Sequence, residues 1–197
     1  MRRDFRTNKS ITREYIEVVV VTIVAALVLR IFVISVYAVH NNSMSPTLKS
    51  GDSVFVYRLP FSVHLPFFNQ TNLAAKVLRR GDVVVFRVDG HDFIKRVLGF
   101  AGDRVEIKNG HLFVNDSLLQ AYSMPTIEAF GPILVPPGKL FLLGDNLARE
   151  HNYQTVSASR IQGRVFLTWI SLAPGQSSSA WPHLRWGRTL RMVRSVH

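Results

Sequence analysis

A long apolar run near the N-terminus most restricts what this 197-residue chain can fold into. Residues 18–29 carry no charge, Arg30 interrupts the run, and residues 31–39 continue it. A helix needs roughly 20 apolar residues to cross a bilayer, and an arginine near one end can extend its guanidinium to the headgroups. We therefore predict one transmembrane helix over residues 15–36, preceded by a basic segment over residues 1–14.

The charges in front of the run predict its orientation. Positively charged segments next to a membrane helix stay in the cytoplasm, so the chain after residue 40 would lie outside. A cleaved signal peptide and a buried core helix are the alternatives, and residues 36–38 (VYA) make a poor cleavage site. The positive charges that precede the apolar run are on Arg2, Arg3, Arg6, Lys9 and Arg13.

The net charge of +11 indicates an anionic partner, either nucleic acid or a membrane surface. The basic residues gather near the two ends of the chain, which favours the lipid bilayer and argues against nucleic acid. With no cysteine, disulfides and thiol catalysis are excluded. No His-x-Glu or His-Glu-x-x-His pattern occurs, so we predict no metal and no cofactor. Nothing in the pattern indicates an oligomeric state.

Residues 37–173 have the pattern of an antiparallel β domain. Short β-branched or alternating segments follow turn pairs such as Gly51-Asp52, which is typical of barrels and sandwiches. Asn109-Gly110 favours a two-residue hairpin turn. We predict strands over 53–58, 82–88, 93–100, 104–107, 111–114, 140–143 and 164–171.

The predicted fold class is mainly β, an antiparallel barrel-like or sandwich-like domain behind one N-terminal transmembrane helix. The tail over 174–197 is rich in glycine and serine, then basic and aromatic. Binding at the membrane surface and simple exposure to solvent are its two alternatives.

The polar stretch 40–48 (HNNSMSPTL), directly after the apolar run, contains candidate nucleophiles. A serine hydroxyl needs a base at neutral pH, most often a histidine, and none of the seven histidines has a recognisable triad context. A lysine can serve when burial among apolar neighbours lowers the pKa of its amine. Lys95, within the apolar segment 93–99, fits best. An outward-facing position on an alternating strand is the alternative.

Five blocks follow one another along the sequence: residues 43–48 (SMSPTL), 51–56 (GDSVFV), 80–86 (RGDVVVF), 94–103 (IKRVLGFAGD) and 144–146 (GDN). In this order they resemble the blocks of bacterial type I signal peptidases, the leader peptidases with a serine/lysine dyad. The similarity runs from about residue 15 to residue 171. It implies a β-rich catalytic domain outside the bacterial cytoplasmic membrane, anchored by a single pass. Its partners would be exported preproteins, cut after small-x-small sites such as Ala-x-Ala.

The resemblance also implies roles for individual residues. Ser43 would be the nucleophile, Lys95 the general base, and the Ser43 backbone N–H one donor to the oxyanion. The second donor would be Asn41, where the family carries a serine or a glycine. Five apolar residues would line the substrate pockets, with ordinary core packing as the alternative: Val39, Met44, Leu48, Phe93 and Ile94.

The last block departs from the family pattern, which continues within a few residues to Ser-x-Asp-Ser-Arg. Here a longer stretch ends at Ser159-Arg160 and places Val156 and Ala158 at the first serine and the aspartate. The remaining supporting residues are then Ser157 or Ser159 beside Lys95, Asp145 paired with Arg96 or Arg160, and Asn146.

The altered last block raises three alternative functions. An autoprotease of the SOS-repressor type would lack the anchor and carry a DNA-binding domain, which does not fit. A narrow-specificity relative that matures a few pilus or conjugation substrates fits the altered block. A degenerate, non-enzymatic domain that binds peptides is the third, and the presence of both Ser43 and Lys95 argues against it.

Overall fold

The structure is a computed structural model that describes residues 7–28, 33–58, 77–109, 111–123, 129–146, 153–173 and 183–193. One α-helix, α1 (Thr7–Val28), is followed in these ranges by short 3-10 helices over Ala158–Arg160 and Trp186–Arg188 and by thirteen strands. They are β1 (Ile34–Ala38), β2 (Asp52–Tyr57), β3 (Val83–Val88), β4 (His91–Gly99), β5 (Arg104–Lys108), β6 (His111–Val114), β7 (Ser117–Ser123), β8 (Phe130–Leu134), β9 (Lys139–Leu143), β10 (Tyr153–Ser157), β11 (Ile161–Ala173), β12 (His183–Leu184) and β13 (Arg191–Met192).

The helix α1 begins earlier than the predicted anchor, and its large apolar side chains are exposed, from 46% at Ile11 to 70% at Tyr15. Within the described ranges, no helix has both the length and the apolar character needed to cross a membrane. The predicted anchor extends too far, because residues 34–36 belong to β1. The β-branched Ile34 and Val36 pair there with Tyr57 and Phe55 of β2, an environment that suits such residues.

The larger sheet confirms the predicted antiparallel β domain. Its described strands run in the order β1-β2-β11-β3-β4-β9-β10, and β12 and β13 also pair with β11. Strand β3 lies inside this sheet and is apolar on both faces, since Val83 and Val85 join one core cluster while Val84 and Phe86 join another. A strand covered on both faces reads as a continuous apolar run rather than an alternating one.

A second, four-stranded sheet has the order β7-β6-β5-β8. The predicted hairpin joins β5 to β6, with Lys108 opposite His111 and a positive φ of 51° at Asn109. Val105 and Ile107 of this sheet pack in one cluster with Phe141 and Leu143 of β9. The small sheet therefore covers one face of the strand that leads to residues 144–146.

Among the described strands before residue 158, the sequence patterns missed four: β1, β7, β8 and β10. Strand β8 contains Gly131 and Pro132, which weaken the strand signal, and β10 at the sheet edge is polar and half-buried. The predicted tail was also wrong in part, since β12 and β13 extend the larger sheet through pairing with β11.

Candidate active site

The segment that carries Ser43 is held by its neighbours in the core. Met44 and Leu48 are fully buried in the cluster formed with Val83 and Val85 of β3. The Leu48 N–H donates to the Met44 carbonyl at 2.8 Å, which closes one turn between these two anchors. Ser43 itself is 8% exposed. A serine fixed between buried side chains loses little further freedom when it reacts.

The side chain of Asn41 contacts Ser43 directly. Its Oδ1 accepts hydrogen bonds from the Ser43 backbone N–H at 3.1 Å and from the Ser43 Oγ at 2.7 Å. Asn41 thus orients the serine hydroxyl, and in this arrangement it presents its carbonyl oxygen to Ser43. The amide donor expected for an oxyanion site points elsewhere in the resting structure.

Asp145 and Asn146 attach the Ser43 segment to the end of β9. The Asn146 N–H donates to the Ser43 carbonyl at 3.0 Å, and Asn146 Nδ2 donates to the Asn42 carbonyl at 2.9 Å. The Thr47 hydroxyl donates to Asp145 Oδ2 at 2.5 Å. Three hydrogen bonds to Asp145 and Asn146 therefore hold both ends of the turn that carries Ser43.

Arg96 holds Asp145 from β4. Its side chain is 1% exposed, its Nε donates to Asp145 Oδ1 at 2.8 Å, and its Nη1 donates to the Gly81 carbonyl at 2.6 Å. Of the two partners considered for Asp145, Arg96 is the one in contact, whereas Arg160 is exposed. Hydrogen bonds to charged groups are stronger than neutral ones, so this pair fixes residues 144–146 firmly.

Lys95 lies beside Arg96 on β4 and is 9% exposed, which contradicts the outward-facing alternative. It pairs with Val84 of β3, and its neighbour Arg96 pairs with Leu143, the last residue of β9. From Leu143 the chain leaves β9 and reaches Asn146, whose N–H donates to the Ser43 carbonyl. The sheet register therefore brings the Ser43 backbone and the Lys95 backbone to the same end of β9.

Four of the five predicted substrate residues pack together. Val39, Met44 and Leu48 are buried in one cluster, and Ile94 is partly buried against it. Phe93 differs: it is 36% exposed and stacks on Phe86, with ring centroids 5.7 Å apart, on the other face of β4.

The altered last block is apolar where the family pattern has polar residues. Val156 and Ala158 are buried in the cluster that contains Val84, the residue opposite Lys95. Residues opposite each other on antiparallel strands share a face, so the Lys95 side chain projects toward this apolar cluster. Ser157 and Ser159 contact each other, with their hydroxyls 2.8 Å apart.

Sequence reasoning missed Thr47 and Asp52 as parts of this site. Thr47 contacts Asp145, and the fully buried Asp52 accepts a hydrogen bond from the Lys49 N–H at 2.9 Å. Asp52 belongs to the Gly51-Asp52 pair that predicts a turn, so the sequence indicated its position in the fold. The sequence did not indicate its burial, because the residues that cover it come from the far end of the chain.

Comparison with known proteins identifies the family of this chain. The family model described as "Signal peptidase, peptidase S26" matches residues 12–170. A signal peptidase I of Bacillus caldolyticus is 33% identical over 172 residues, covering 77% of this chain and 87% of the relative. A probable signal peptidase I-1 of Synechocystis sp. is 32% identical over 194 residues, covering 89% and 86%.

A third relative, a signal peptidase I of Bacillus licheniformis, is 30% identical over 167 residues. The match covers 76% of this chain and 82% of the relative. These matches define a hydrolase that cuts peptide bonds through a serine. The chain belongs to the signal peptidase family, peptidase S26. The resemblance seen in the five sequence blocks is thereby confirmed.

Proposed function

We propose that this protein is a membrane-bound endopeptidase that removes N-terminal signal peptides from exported preproteins after small-x-small sites. The observation that carries the proposal is the burial of both Ser43 and Lys95 at the same end of β9, in a chain of the signal peptidase family. The names of the relatives, signal peptidase I, supply the substrate class.

In the proposed reaction, the Ser43 Oγ attacks the carbonyl carbon of the residue before the cleavage site, and Lys95 Nζ takes its proton. The C–N bond breaks when Lys95 returns that proton to the leaving amine, which leaves an ester on Ser43. Water, deprotonated by Lys95, then cleaves the ester and restores the serine hydroxyl. This requires an uncharged amine on Lys95, and burial next to Val84 and its apolar cluster favours that form.

The oxyanion of the tetrahedral intermediate would be held by the Ser43 N–H and by Asn41. Because Asn41 Oδ1 accepts from that N–H in the resting structure, substrate must displace it. Rotation of the Asn41 amide about its Cβ–Cγ bond would release the Ser43 N–H and turn Nδ2 toward the substrate oxygen. Asn41 is thus proposed to orient Ser43 before substrate binds and to donate to the oxyanion afterwards.

The remaining predicted residues are proposed to position this pair. Arg96, Asp145 and Asn146 hold the Ser43 segment through the hydrogen bonds described above. Ser157 ends β10, and Ser159 and Arg160 follow it, next to Val156 and Ala158 of the apolar cluster that Lys95 faces. With Val156 at the position where the family carries a serine, the surroundings of Lys95 are more apolar here than the family pattern implies.

The proposed substrate binds as an extended strand. Strand β1 lies at an edge of the larger sheet and so has backbone groups available for pairing with a peptide. Val39 follows β1 directly and packs with Met44, Leu48 and Ile94 next to Ser43. Walls made of such large side chains leave room for alanine-sized substrate residues. Phe93, on the other face of β4, is proposed to border the site rather than line the same pocket.

A substrate series tests this proposal. Detergent-solubilised protein is expected to cut a preprotein with an Ala-x-Ala site after the second alanine, and to cut a version with phenylalanine at that position at least about 100-fold more slowly, since a bulky residue clashes with the pocket wall. Mass spectrometry of the products measures both. Cleavage of only a few pilus or conjugation precursors would favour the narrow-specificity alternative, and no cleavage by folded protein would reject the proposal.

We also propose that α1 holds the protein in the bacterial cytoplasmic membrane, with the basic N-terminus in the cytoplasm and the β domain outside. The support is the exposure of apolar side chains around the whole helix, including Val20 at 52% and Val24 at 54%, which no described part of the chain covers. In bacterial cells the protein is expected to stay in the membrane pellet after an alkaline carbonate wash, and a Val20→Lys/Val24→Lys variant is expected to be released. Release of the unaltered protein would contradict the anchor.

A further inference from the structure

The C-terminal segment 183–193 returns to the turn that carries Ser43. It runs along β11 through β12, a short 3-10 helix over Trp186–Arg188, and β13. Two of its arginines, Arg185 and Arg188, point into the domain with side chains 24% and 18% exposed. Both lie beyond residues 12–170, the part of the chain that matches the family model.

These two arginines share one buried carboxylate. Asp52 is 0% exposed, Arg185 Nη2 donates to its Oδ1 at 3.1 Å, and Arg188 Nη2 donates to its Oδ2 at 3.0 Å. The Ser171 hydroxyl and the Lys49 N–H donate to the same carboxylate. Asp52 therefore joins the end of β11, the C-terminal segment and the residues directly after the Ser43 turn.

The two arginines differ in the backbone carbonyls that they hold. Arg188 Nη1 donates to the Pro46 carbonyl at 3.1 Å, and Arg188 Nη2 donates to the Thr47 carbonyl at 2.9 Å. Arg185 Nη2 instead donates to the carbonyls of Ser50 and Leu172, both at 2.8 Å. Only Arg188, of this pair, touches the turn that carries Ser43.

Thr47 is consequently held at two points by distant parts of the chain. Its hydroxyl donates to Asp145, which Arg96 fixes, and its carbonyl accepts from Arg188. Asn146 holds the other end of the turn at the Ser43 carbonyl. Loss of the Arg188 contacts would remove these donors from the Pro46 and Thr47 carbonyls, while the Thr47 hydroxyl, the hydrogen bonds within the turn and the buried side chains would remain in place.

The burial of the charged groups in this cluster contributes little net free energy to the stability of the fold. Two guanidinium groups are taken largely out of water around one carboxylate, and the Nε atoms of both arginines are buried without a hydrogen-bond partner among the described residues. Desolvation of such charges often cancels the gain from pairing them. What the cluster does provide is a fixed position for residues 46–52, since four donors meet one carboxylate there.

We propose that Arg188 is a positioning residue for the reaction at Ser43, and that Asp52 holds it in place. Arg188 fixes the Pro46–Thr47 carbonyls and thereby the placement of the Ser43 hydroxyl and N–H relative to substrate. The C-terminal segment 183–193 then contributes to the reaction through Arg188. The kinetic part of this inference rests on the proposed peptidase function.

Matched substitutions at the two arginines separate positioning from simple stability. Arg188→Lys and Arg185→Lys both keep a positive charge near Asp52, but a single ammonium cannot replace the two nitrogens that hold Pro46 and Thr47. Arg188→Lys is expected to lower kcat about 10-fold with KM within about twofold, because displacements of an ångström or less are enough for such losses. Arg185→Lys is expected to stay within about threefold. Arg191→Ala, at an exposed position on β13, is the control for the segment.

Hydrogen–deuterium exchange of peptides covering residues 44–50 gives a second readout that does not depend on activity. The amide of Leu48, at the end of this turn, and the amides of Lys49 and Ser50, which follow the turn, are hydrogen-bonded. They are expected to exchange at least about fivefold faster in Arg188→Lys than in Arg185→Lys, because only the former loses the Pro46 and Thr47 contacts. Equal exchange, or equal kcat, in the two variants at equal melting temperature would overturn the proposal. Absence of cleavage by the unaltered protein would reject the peptidase function, and the exchange comparison would still decide the role of Arg188.

Discussion

Replacing Ser43 with alanine is expected to reduce cleavage of an Ala-x-Ala preprotein by a factor on the order of 10⁴ to 10⁶ in kcat, the range seen when a serine peptidase loses a member of its catalytic set. The change removes the attacking oxygen and its hydrogen bond to Asn41, and leaves the Ser43 backbone contact to Asn146 in place. Substrate binding should therefore persist while chemistry stops. Single-turnover cleavage and a binding assay with labelled preprotein measure the two effects separately.

Ser45 provides the matched control for that experiment. Ser45 lies two residues after Ser43 on the same turn and is half-buried. Ser45→Ala is expected to keep kcat within about threefold, because no step of the proposed reaction uses its hydroxyl. Substantial activity in Ser43→Ala, or an equal loss in Ser45→Ala, would move the nucleophile away from Ser43.

Replacing Lys95 with methionine is expected to lower kcat by a similar factor, on the order of 10⁴ or more. Methionine retains much of the apolar stem in this buried site and removes the amine that would accept the Ser43 proton. Lys95→Arg is expected to be equally inactive, because a guanidinium stays protonated and cannot act as a base. Comparison of the two variants thus separates loss of the base from loss of positive charge. The same single-turnover assay measures both.

An exposed lysine serves as the control here. Lys49→Met removes an exposed ammonium a few residues from Ser43 and is expected to leave kcat within about threefold. Full activity of Lys95→Met would exclude Lys95 as the base. The base would then have to be another group near Ser43, and His40, which precedes it by three residues and is exposed, would be the first to test.

The local patterns predicted the antiparallel sheets and seven of the described strands. Strand β3 was recognised because a strand buried on both faces must be continuously apolar, and the β5–β6 hairpin because Asn-Gly suits a tight turn. The resemblance in five blocks identified the family that the comparisons confirm. Lys95 was ambiguous on its pattern alone, and its burial in the structure removes the outward-facing alternative.

The errors arose where distant parts of the chain decide the structure. The apolar run past Arg30 looked like one helix, yet residues 34–38 pair with β2, because an available strand edge outweighs the helical continuation of an apolar run. The basic tail looked like a surface segment, yet Arg185 and Arg188 contact an aspartate more than 130 positions earlier in the sequence. No local pattern encodes such a contact. The orientation of the Asn41 amide is likewise set by its hydrogen bonds to Ser43 rather than by its residue type.

The proposed function requires that Ser43, with Lys95 as its base, cuts signal peptides from preproteins. To test this, one Ala-x-Ala preprotein is incubated with the unaltered protein, Ser43→Ala and Lys95→Met, each shown to be folded, and the products are identified by intact mass. We expect a mature protein and a signal peptide whose masses add to that of the preprotein plus one water, with the unaltered protein alone. Cleavage at another site, or the same products from either variant at a comparable rate, would contradict it.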